Sequence, residues 1–403
     1  MTIKCSKRVA VASCHDKINF GSVLQAYATQ RALEELGVEV NTIDKRGLGH
    51  AISAGRNDYY LEHLFDVDLY RAKLGFVKHR IKQKLDADFG KKMAKRKSAF
   101  SSFESTHFSF TPQTASFEDL GALVADYDSV VVGSDQLWLP VNIAGRYFTL
   151  SFVQPPVRKV SYSTSFGVSS LSEKYLRKTK EFLSDFSAIS VREDTGADLV
   201  EKATGVRCSV VCDPTMLLAR DQWASLAGSS LISVPDEPYV FCYFMGKNAW
   251  NRECAQELAE QHNLKIVAIA HPDEYVKADD DYADYYPWEA GPAEWVNLIA
   301  HASYVCTDSF HGSVFSNIFE VPFFSFRRHE NMGAQSTNSR IDTLLRVLGN
   351  SDRICESKDA FHAAMANEID FVSVRQRLNA YKNESANWLK SALDCREQYD
   401  LHH

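Results

Sequence analysis

The segment that decides the fold is RVAVASCHDKINFGSVLQAYATQRALEELG, residues 8–37. It begins with a run of small and β-branched residues, which predicts a buried strand over residues 8–13. An apolar pattern at helical spacing follows and ends at Gly37, and Ser22 is the expected N-cap of this helix. A strand, a loop and a helix in this order form the first unit of an α/β domain with a parallel sheet.

The same alternation of β-branched runs and helical patterns continues along the chain, and it predicts nine further strands. The first series continues at residues 38–44, 129–133, 159–165, 188–192 and 209–212. The second series lies at residues 239–245, 265–270, 304–307 and 323–326. We therefore expect an α/β, GT-B-like fold, in which two doubly wound, Rossmann-like domains place a ligand cleft between the carboxyl ends of their strands.

A chain of 403 residues is long for one hydrophobic core, which also favours two domains. We expect a first α/β domain over residues 1–215, on the acceptor side, with an insertion at about 45–128. The second α/β domain, on the donor side, is expected over residues 216–370. Residues 371–403 are expected to form a helix that packs back on the first domain.

The composition excludes several classes of function. A net charge of −7 argues against a nucleic-acid partner, because proteins that bind nucleic acids are normally basic. The nine cysteines show no paired spacing typical of metal sites, so we expect no metal and a reduced, cytoplasmic protein. Since no stretch approaches 20 apolar residues, any membrane contact is expected to be peripheral.

The strongest local motif is Thr307-Asp308-Ser309-Phe310-His311-Gly312, which follows a predicted strand and opens a predicted helix. Backbone N–H groups at a helix start bind anions, and the helix dipole favours negative charge there. His311 in that first turn could donate to a phosphate or carboxylate, or transfer a proton. The alternative is a structural histidine, with Asp308 and Ser309 acting only as helix caps.

Arg192 stands at the end of a predicted apolar strand, facing the expected cleft. A guanidinium at this place can bind phosphate or carboxylate through two parallel hydrogen bonds. The alternative is an ion pair with the neighbouring Glu193 or Asp194.

Two further loops follow predicted strands and carry polar residues. Ser134, Asp135 and Gln136 could bind sugar hydroxyls while Trp138 stacks on a sugar ring, or these residues could form a turn packed by a core tryptophan. The loop around Asn19 and Gly21 could let a ligand approach the backbone, or could merely form a turn and a cap. Neither a GxGxxG nor a Walker A sequence is present, so dinucleotide and P-loop readings lack their main evidence.

Two basic stretches could also meet an anion. Arg327 and Arg328 follow the last predicted strand, with His329 and Arg340 shortly after them. This basic group could close over an anionic donor, or could belong to a charged surface. Residues 71–97 are rich in Lys and Arg and could form a solvated amphipathic helix, or could contact an anionic membrane surface or a lipid-linked diphosphate.

Taken together, these motifs resemble those of the polysaccharide pyruvyl transferase family, in particular its bacterial capsule and exopolysaccharide members. Each motif alone is weak, but six in the same order are specific. The matching elements are residues 19–27, 131–138, 161–167, 190–193, 213–215 and 307–312.

The resemblance implies a GT-B transferase that moves a pyruvyl group from phosphoenolpyruvate to a sugar as a ketal, with phosphoenolpyruvate as donor substrate and no cofactor. It implies catalytic roles for His311 and Arg192. Where family members often have arginine-leucine-histidine, this chain has Ser309-Phe310-His311. The expected donor-binding residues are Asp308, Ser309, Gly312, Arg327 and Arg328, and the expected acceptor-binding residues are Asn19, Gly21, Ser134, Asp135, Gln136 and Trp138.

The acceptor expected from this resemblance is a sugar or a lipid-linked oligosaccharide, used in the cytoplasm or at the inner face of the membrane. The alternative enzyme is a GT-B glycosyltransferase with a nucleotide-sugar donor, whose pocket also needs cations and a helix N-terminus. A third class is a non-catalytic binding protein that has kept the fold.

Overall fold

The structure is a computed structural model, and it describes residues 7–63, 77, 79–271, 274–328 and 339–394. Its two sheets are parallel throughout. The first sheet contains Arg8–Ala12 (β1), Glu39–Thr42 (β2), Ser129–Val132 (β3), Arg158–Thr164 (β4), Phe186–Val191 (β5) and Ser209–Val210 (β6). The second contains Tyr239–Tyr243 (β7), Lys265–Ile269 (β8), Tyr304–Thr307 (β9), Phe323–Phe326 (β10) and Ile354–Cys355 (β11).

Helices cover both faces of the sheets. They are Phe20–Glu35 (α1), Gly49–Glu62 (α2), Ala87–His107 (α3), Phe117–Val124 (α4), Pro140–Ala144 (α5), Glu173–Leu183 (α6), Asp194–Thr204 (α7), Arg220–Ala227 (α8), Ala249–His262 (α9), Pro292–Ala300 (α10), Phe310–Phe319 (α11), Ser339–Leu348 (α12), Lys358–Met365 (α13) and Phe371–Ala392 (α14). Residues 79–85 are also helical. The ten predicted strands are confirmed, whereas the two-residue β11 is too short to carry a strand pattern.

The two sheets share one topology. The first has the order β2-β1-β3-β4-β5-β6, and the second, read from its far edge, has the order β8-β7-β9-β10-β11. In each sheet the chain reverses direction beside the first strand, between β1 and β3 and between β7 and β9. Ligands of doubly wound sheets bind outside the carboxyl ends of the strands at such switch points. The expected pair of doubly wound domains is therefore present.

The loop after β1 is held against the second domain. Phe20, the first residue of α1, stacks on Trp295 of α10 with ring centroids 5.8 Å apart. The expected N-cap, Ser22, is wrong: Asn19 caps the helix and its side chain accepts a 3.0 Å hydrogen bond from the Ser22 N–H. Asn19 takes this role because its backbone is still extended, whereas Ser22 already lies in the first turn.

The insertion between β2 and β3 contains α2, α3 and α4, and α3 contacts both domains. Phe100 packs edge-on against Phe20, and Arg96 donates a hydrogen bond to the Ala270 carbonyl at 3.1 Å. Arg96 is 1% exposed and lies over the Trp288 ring, so this residue is not part of a basic surface. These partners stabilise the buried guanidinium, because the ring face and the carbonyl both attract a cation.

The membrane hypothesis for residues 71–97 falls partly on residues 71–76 and 78, which lie outside the described residues. Within the described part, Ile81 and Leu85 are exposed. In the portion of the chain that the structure covers, no helix has the length and apolar character needed to cross a bilayer.

The long helix α14 follows the second sheet and contacts the first domain. Ser385 accepts a 2.9 Å hydrogen bond from the backbone N–H of Cys212, and Trp388 lies against Tyr162. Contacts at β4 and just after β6 therefore tie the end of the chain to the first sheet.

Candidate active site between the two domains

A cleft of about 300 Å³ lies between the carboxyl edges of the two sheets. This volume is at the lower end of the range for small-ligand sites. Both switch points contribute to it: the first domain through Asn19, Asp135 and Gln136, and the second through Ser309 and His311.

Cations dominate the charged side chains of the cleft. Five lysines and arginines face two carboxylates: Lys17, Lys45, Arg56, Arg328 and Arg340 against Asp16 and Asp135. Lys45 pairs with Asp16 at 2.5 Å, so one of the two carboxylates is already neutralised. The cleft therefore attracts an anionic ligand.

A buried ion pair forms the floor of the cleft on the first-domain side. Arg192, which directly follows β5, donates through Nη1 to Oδ2 of Asp213 at 2.8 Å, and both side chains are almost inaccessible. Its Nη2 lies 3.6 Å from Oδ1 of Asp135. Among the described residues, Nε and Nη2 of Arg192 have no hydrogen-bond partner. Buried donors in this state are costly. Arg192 does not itself line the cleft, so its charge acts on the cleft from behind the lining residues Asp135 and Phe310.

Phe310 lies beside this arginine and beside a second one. The guanidinium of Arg192 lies 4.5 Å from the centre of the Phe310 ring, and that of Arg340 lies 6.0 Å from it. Arg340 is 7% exposed, and its Nε has no hydrogen-bond partner in the described part of the chain. Two guanidinium groups are thus held beside one aromatic ring at the edge of a cationic cleft.

His311 stands in the first turn of α11, whose N-cap Ser309 accepts a hydrogen bond from the Gly312 N–H at 3.4 Å. Its Nε2 lies 3.6 Å from Oδ2 of Asp213, longer than a hydrogen bond. Gly21 of the opposite domain lies against the imidazole, since a Cβ at Gly21 would lie 2.0 Å from Nδ1. The position of His311 therefore depends on both domains.

The carboxylates of the floor are held in the charged form. Burial alone would raise the pKa of Asp213, but His311, Arg192 and Thr215 outweigh it and hold the pKa well below its usual range. For Asp135 burial is likewise outweighed, by Arg192, His311 and the Ser22 hydroxyl, which lower its pKa to about 2. At neutral pH the floor thus carries fixed negative charge beneath the cations.

For Arg340 and Glu193, in contrast, burial decides the direction of the pKa shift. Burial and the neighbouring Arg192 lower the pKa of Arg340, so an anionic ligand beside it would relieve an unfavourable charge. Burial raises the pKa of Glu193, although Arg192 and Arg340 oppose the rise. Glu193 accepts a hydrogen bond from Ser165 and is only 1% exposed, so it does not face the cleft.

Trp138 is placed differently from the prediction. Its side chain is 0% exposed, its Nε1 donates to the Phe148 carbonyl at 3.0 Å, and its ring packs against Phe166 and Phe182. The predicted stacking on an acceptor sugar is wrong, because core packing covers both faces of the indole.

Ser134 is also buried, at 0% exposure. Its hydroxyl donates to the Ser163 carbonyl at 2.7 Å and lies 3.2 Å from Oδ2 of Asp213. The predicted contact with an acceptor is therefore wrong, and the residue instead helps to position Asp213.

Asp308 and Arg327 do not offer free charges to a donor. The Asp308 carboxylate accepts hydrogen bonds from the backbone N–H groups of Met245 and Gly246, each at 2.7 Å, and so holds the loop after β7. Arg327 pairs with Glu356 at 2.9 Å and with Asp342 at 2.5 Å. The donor contacts predicted for these two side chains are wrong, because other partners already occupy them.

The two glycines predicted to contact ligand are positions of close packing. Gly312 has no room for a side chain, since a Cβ there would lie 2.5 Å from Oγ1 of Thr307. Gly21 has none because of His311. Arg328 lines the cleft and donates to the Asp308 carbonyl at 3.0 Å.

Sequence reasoning did not single out Asp213 or Arg340 as site residues. Asp213 was visible as part of the Asp213-Pro214-Thr215 motif, but nothing in the sequence indicated that it would lie beside Arg192 and His311. Arg340 was noted only as a member of the basic group after the last predicted strand of the second domain, which could close over an anionic donor. Lys17 and Arg56 carried no signal beyond their charge.

Within the described ranges, no group of three or more His, Cys, Asp and Glu side chains has an arrangement that could hold a metal ion.

Comparison with known proteins gives a family and a fold. The family model described as polysaccharide pyruvyl transferase matches residues 19–330. No curated protein sequence matches significantly.

Among solved structures, a protein assigned as a UDP-N-acetylglucosamine 2-epimerase from Listeria monocytogenes is similar, with a TM-score of 0.53, 10% identity and 98% of each chain covered. The UDP-GlcNAc 2-epimerase of Neisseria meningitidis, solved with UDP-GlcNAc, gives a TM-score of 0.50 at 9% identity, covering 97% of this chain and 100% of that one. At these identities the likeness shows the fold alone, which is the GT-B fold.

Proposed function

The chain belongs to the polysaccharide pyruvyl transferase family, and from this premise we propose that it transfers a pyruvyl group from phosphoenolpyruvate to a sugar, forming a pyruvate ketal. The observation that carries the proposal is the pair of guanidinium groups of Arg328 and Arg340, which line the cationic cleft and whose buried Nε donors have no partner among the described residues. Phosphoenolpyruvate is a small and densely anionic molecule with both a phosphate and a carboxylate, so it needs several such donors.

Three arginines can together hold the phosphate and the carboxylate of phosphoenolpyruvate. Arg340 and Arg328 belong to the second domain, and both line the cleft close to the start of α11. Arginine binds phosphate and carboxylate through parallel hydrogen bonds, which orients the ligand as well as holding it. Arg192 contributes its positive charge from beneath the lining of the cleft, while its Nη1 stays bound to Asp213.

The reaction balances without a cofactor. A proton adds to the methylene carbon of phosphoenolpyruvate and leaves an oxocarbenium-like centre at the adjacent carbon. One sugar hydroxyl attacks that carbon and loses its proton, and the bond to the phosphate oxygen breaks. A second hydroxyl of the same sugar then attacks, loses its proton and closes the ketal, with inorganic phosphate as the other product.

His311 is the group best placed to move a proton in the cleft. Its Nε2 lies 3.6 Å from the Asp213 carboxylate, which stays ionised and stabilises the imidazolium that forms when His311 accepts a proton. General acid–base help of this kind typically contributes about 10²–10⁴-fold. Fixed cations that stabilise developing charge often contribute more.

The acceptor sugar is assigned to the first-domain side of the cleft. Asn19, Asp135 and Gln136 line it there and carry carboxylate or amide groups that bind hydroxyls. Asp135 already accepts from the Ser22 hydroxyl at 2.5 Å and from the Gln136 N–H at 2.8 Å, which fixes its orientation.

The competing function is glycosyl transfer from a nucleotide-sugar, because a cationic cleft would also accept a diphosphate. The two functions differ in their product. Incubation with phosphoenolpyruvate and a panel of sugars, followed by mass spectrometry, is expected to show acceptors that have gained a pyruvate ketal. Transfer of a glycosyl unit from UDP- or GDP-sugars, with no ketal from phosphoenolpyruvate, would overturn the proposal.

We also propose that the acceptor is a capsule or exopolysaccharide precursor, lipid-linked and used at the cytoplasmic face of the membrane, where residues 71–97 contact anionic lipid. Lys84, Lys91 and Lys95 are exposed in the described part of this segment. Neutralising all three to Gln is expected to reduce co-sedimentation with vesicles that contain phosphatidylglycerol. Unchanged co-sedimentation would end the idea of membrane contact while leaving pyruvyl transfer untouched.

A further inference from the structure

We infer that a second cavity, on the outer side of the first domain, holds the saccharide chain of the acceptor as it leaves the cleft. We call it the outer groove; it has a volume of about 1030 Å³, and its lining includes Ala54, Phe117, Arg146, Gln154, Lys159 and Phe182. The inference rests on the proposed function for the identity of the reaction, but the groove can be tested by saccharide binding alone.

The outer groove adjoins the cleft through two helices that the two cavities share. On α2, Arg56 lines the cleft and Gly55 lines the groove. On α5, Asn142 lines the cleft and Ile143 the groove. Arg56 donates to Asn142 at 2.7 Å, and the two helices pack so closely that a Cβ at Gly55 would lie 2.3 Å from the Ala144 carbonyl oxygen. The cleft and the groove are thus neighbours separated by one pair of packed helices, and a ligand long enough to reach around this pair occupies both.

The lining of the groove reaches from the cleft side of the first sheet to the opposite edge. One end, at residues 143–146, lies between Asn142 and Phe148, which both line the cleft. The other end includes Lys159, the second residue of β4, and Asp185, which directly precedes β5. The groove thus runs along the full length of a strand, and a seven-residue strand spans roughly 20 Å at about 3.3 Å per residue. Several sugar rings in a row need such a length, whereas a single sugar does not.

The charges of the groove differ from those of the cleft. Three carboxylates stand among three cations, and the remaining polar groups are hydroxyls and an amide. The charged residues are Asp58, Glu181 and Asp185 with Arg146, Lys159 and Lys178. Lys159 and Asp185 approach each other at 3.4 Å. A balanced lining of this kind favours a neutral ligand with many hydroxyls over an anion.

Aromatic surface completes this chemistry. Phe117 and Phe182 line the groove, and each is half-buried, so that part of the ring remains open to a ligand. Apolar ring surface next to paired charges suits a sugar ring, which is apolar on its faces and polar around its edge. We therefore assign the groove to a neutral oligosaccharide whose terminal sugar reaches the cleft.

The test compares two tryptophan variants on one helix. Ala54 and Asn57 are both exposed on α2, but only Ala54 lines the groove. Transfer from phosphoenolpyruvate is measured with galactose-, glucose- and mannose-based oligosaccharides of one and six residues. Binding of the same sugars without phosphoenolpyruvate is measured by saturation-transfer NMR.

The wild-type enzyme is expected to have a KM about tenfold lower for the hexasaccharide than for the single sugar, which corresponds to about 1.4 kcal/mol. Ala54→Trp is expected to remove this difference, and Asn57→Trp to keep it. If the KM does not depend on acceptor length, or if the two variants change it equally, the assignment of the groove is overturned while pyruvyl transfer stands.

The binding measurement separates the two proposals. If no sugar receives pyruvate but the hexasaccharide binds, and Ala54→Trp alone weakens that binding, the groove stands and the proposed reaction fails. If no hexasaccharide of the panel binds to the wild-type protein, the groove assignment is overturned whatever phosphoenolpyruvate does.

Discussion

Both domains place carboxylates after their parallel strands on the cleft side, yet they use these carboxylates differently. In the first domain, Asp135 and Asp213 face Arg192 and His311 and form a charged floor beneath the ligand space. In the second domain, Asp308 is engaged with the backbone of the loop after β7. A carboxylate after a parallel strand can therefore belong to the ligand site or can hold a neighbouring loop in place. Its role depends on the residues that the fold brings beside it.

The largest expected effect is a difference in stability between a variant of the charged floor and a variant of the loop after β7. Arg192→Ala leaves two buried carboxylates without their cation, and breaking a buried pair in this way costs about 3–5 kcal/mol. Asp308→Asn keeps an oxygen acceptor for the loop, so its cost is expected to be about 1–3 kcal/mol. Urea denaturation measures both free energies of unfolding. A smaller loss for Arg192→Ala than for Asp308→Asn would contradict the distinction between floor and loop.

The contact between the domains can be broken at Gly21. Gly21→Ala places a methyl group where the His311 imidazole lies, so the imidazole cannot keep its position beside Asp213. We expect pyruvyl transfer to fall at least about 10²-fold, as it would for His311→Ala, which removes the proton-transferring group. Turnover numbers measure the effect.

Two controls accompany this variant. Gly49→Ala should be harmless, because nothing lies within 4 Å of a Cβ at that position. Adding Gly21→Ala to His311→Ala should change the rate little further. A full additional loss in the double variant would show that Gly21 acts on something other than His311.

The arginines of the second domain give a smaller and more selective test. Arg340→Gln removes a guanidinium that has no ion-pair partner in the described structure, whereas Arg327→Gln removes one that two carboxylates already hold. A hydrogen bond to a charged group contributes about 1.5–3 kcal/mol. We expect the KM for phosphoenolpyruvate to rise roughly 10- to 150-fold in Arg340→Gln and to change little in Arg327→Gln. Equal effects on KM would refute the assignment.

The smallest expected effect is a pH dependence of stability that comes from the floor. The pKa of Asp135 is about 2 in the folded protein and about 3.9 in an unfolded chain, so its charge stabilises the fold above pH 4. This contribution is lost as the pH falls toward 2. Between these values the free energy of unfolding should fall less steeply in Asp135→Asn than in the wild type. Denaturation at several pH values measures this difference. If the free energy of unfolding falls equally in both proteins, the contribution of Asp135 is refuted.

Much of the fold could be predicted from the sequence, because β-branched runs and helical spacing are local signals. Asn19, Gln136 and His311 were found for the same reason: a strand end next to a helix start is visible in the sequence. The roles of Trp138 and Asp308 were not, since burial by Phe166 or by the loop after β7 depends on distant residues. Asp213 was missed because its importance comes from meeting Arg192 across two strands and His311 across two domains.

The most direct test of the cleft as a phosphoenolpyruvate site is isothermal titration of the wild-type protein with phosphoenolpyruvate and, separately, with UDP. We predict one bound phosphoenolpyruvate per chain, weaker binding in Arg340→Gln, unchanged binding in Arg327→Gln and no binding of UDP. Binding of UDP together with no heat from phosphoenolpyruvate would contradict the account and favour a nucleotide-sugar donor.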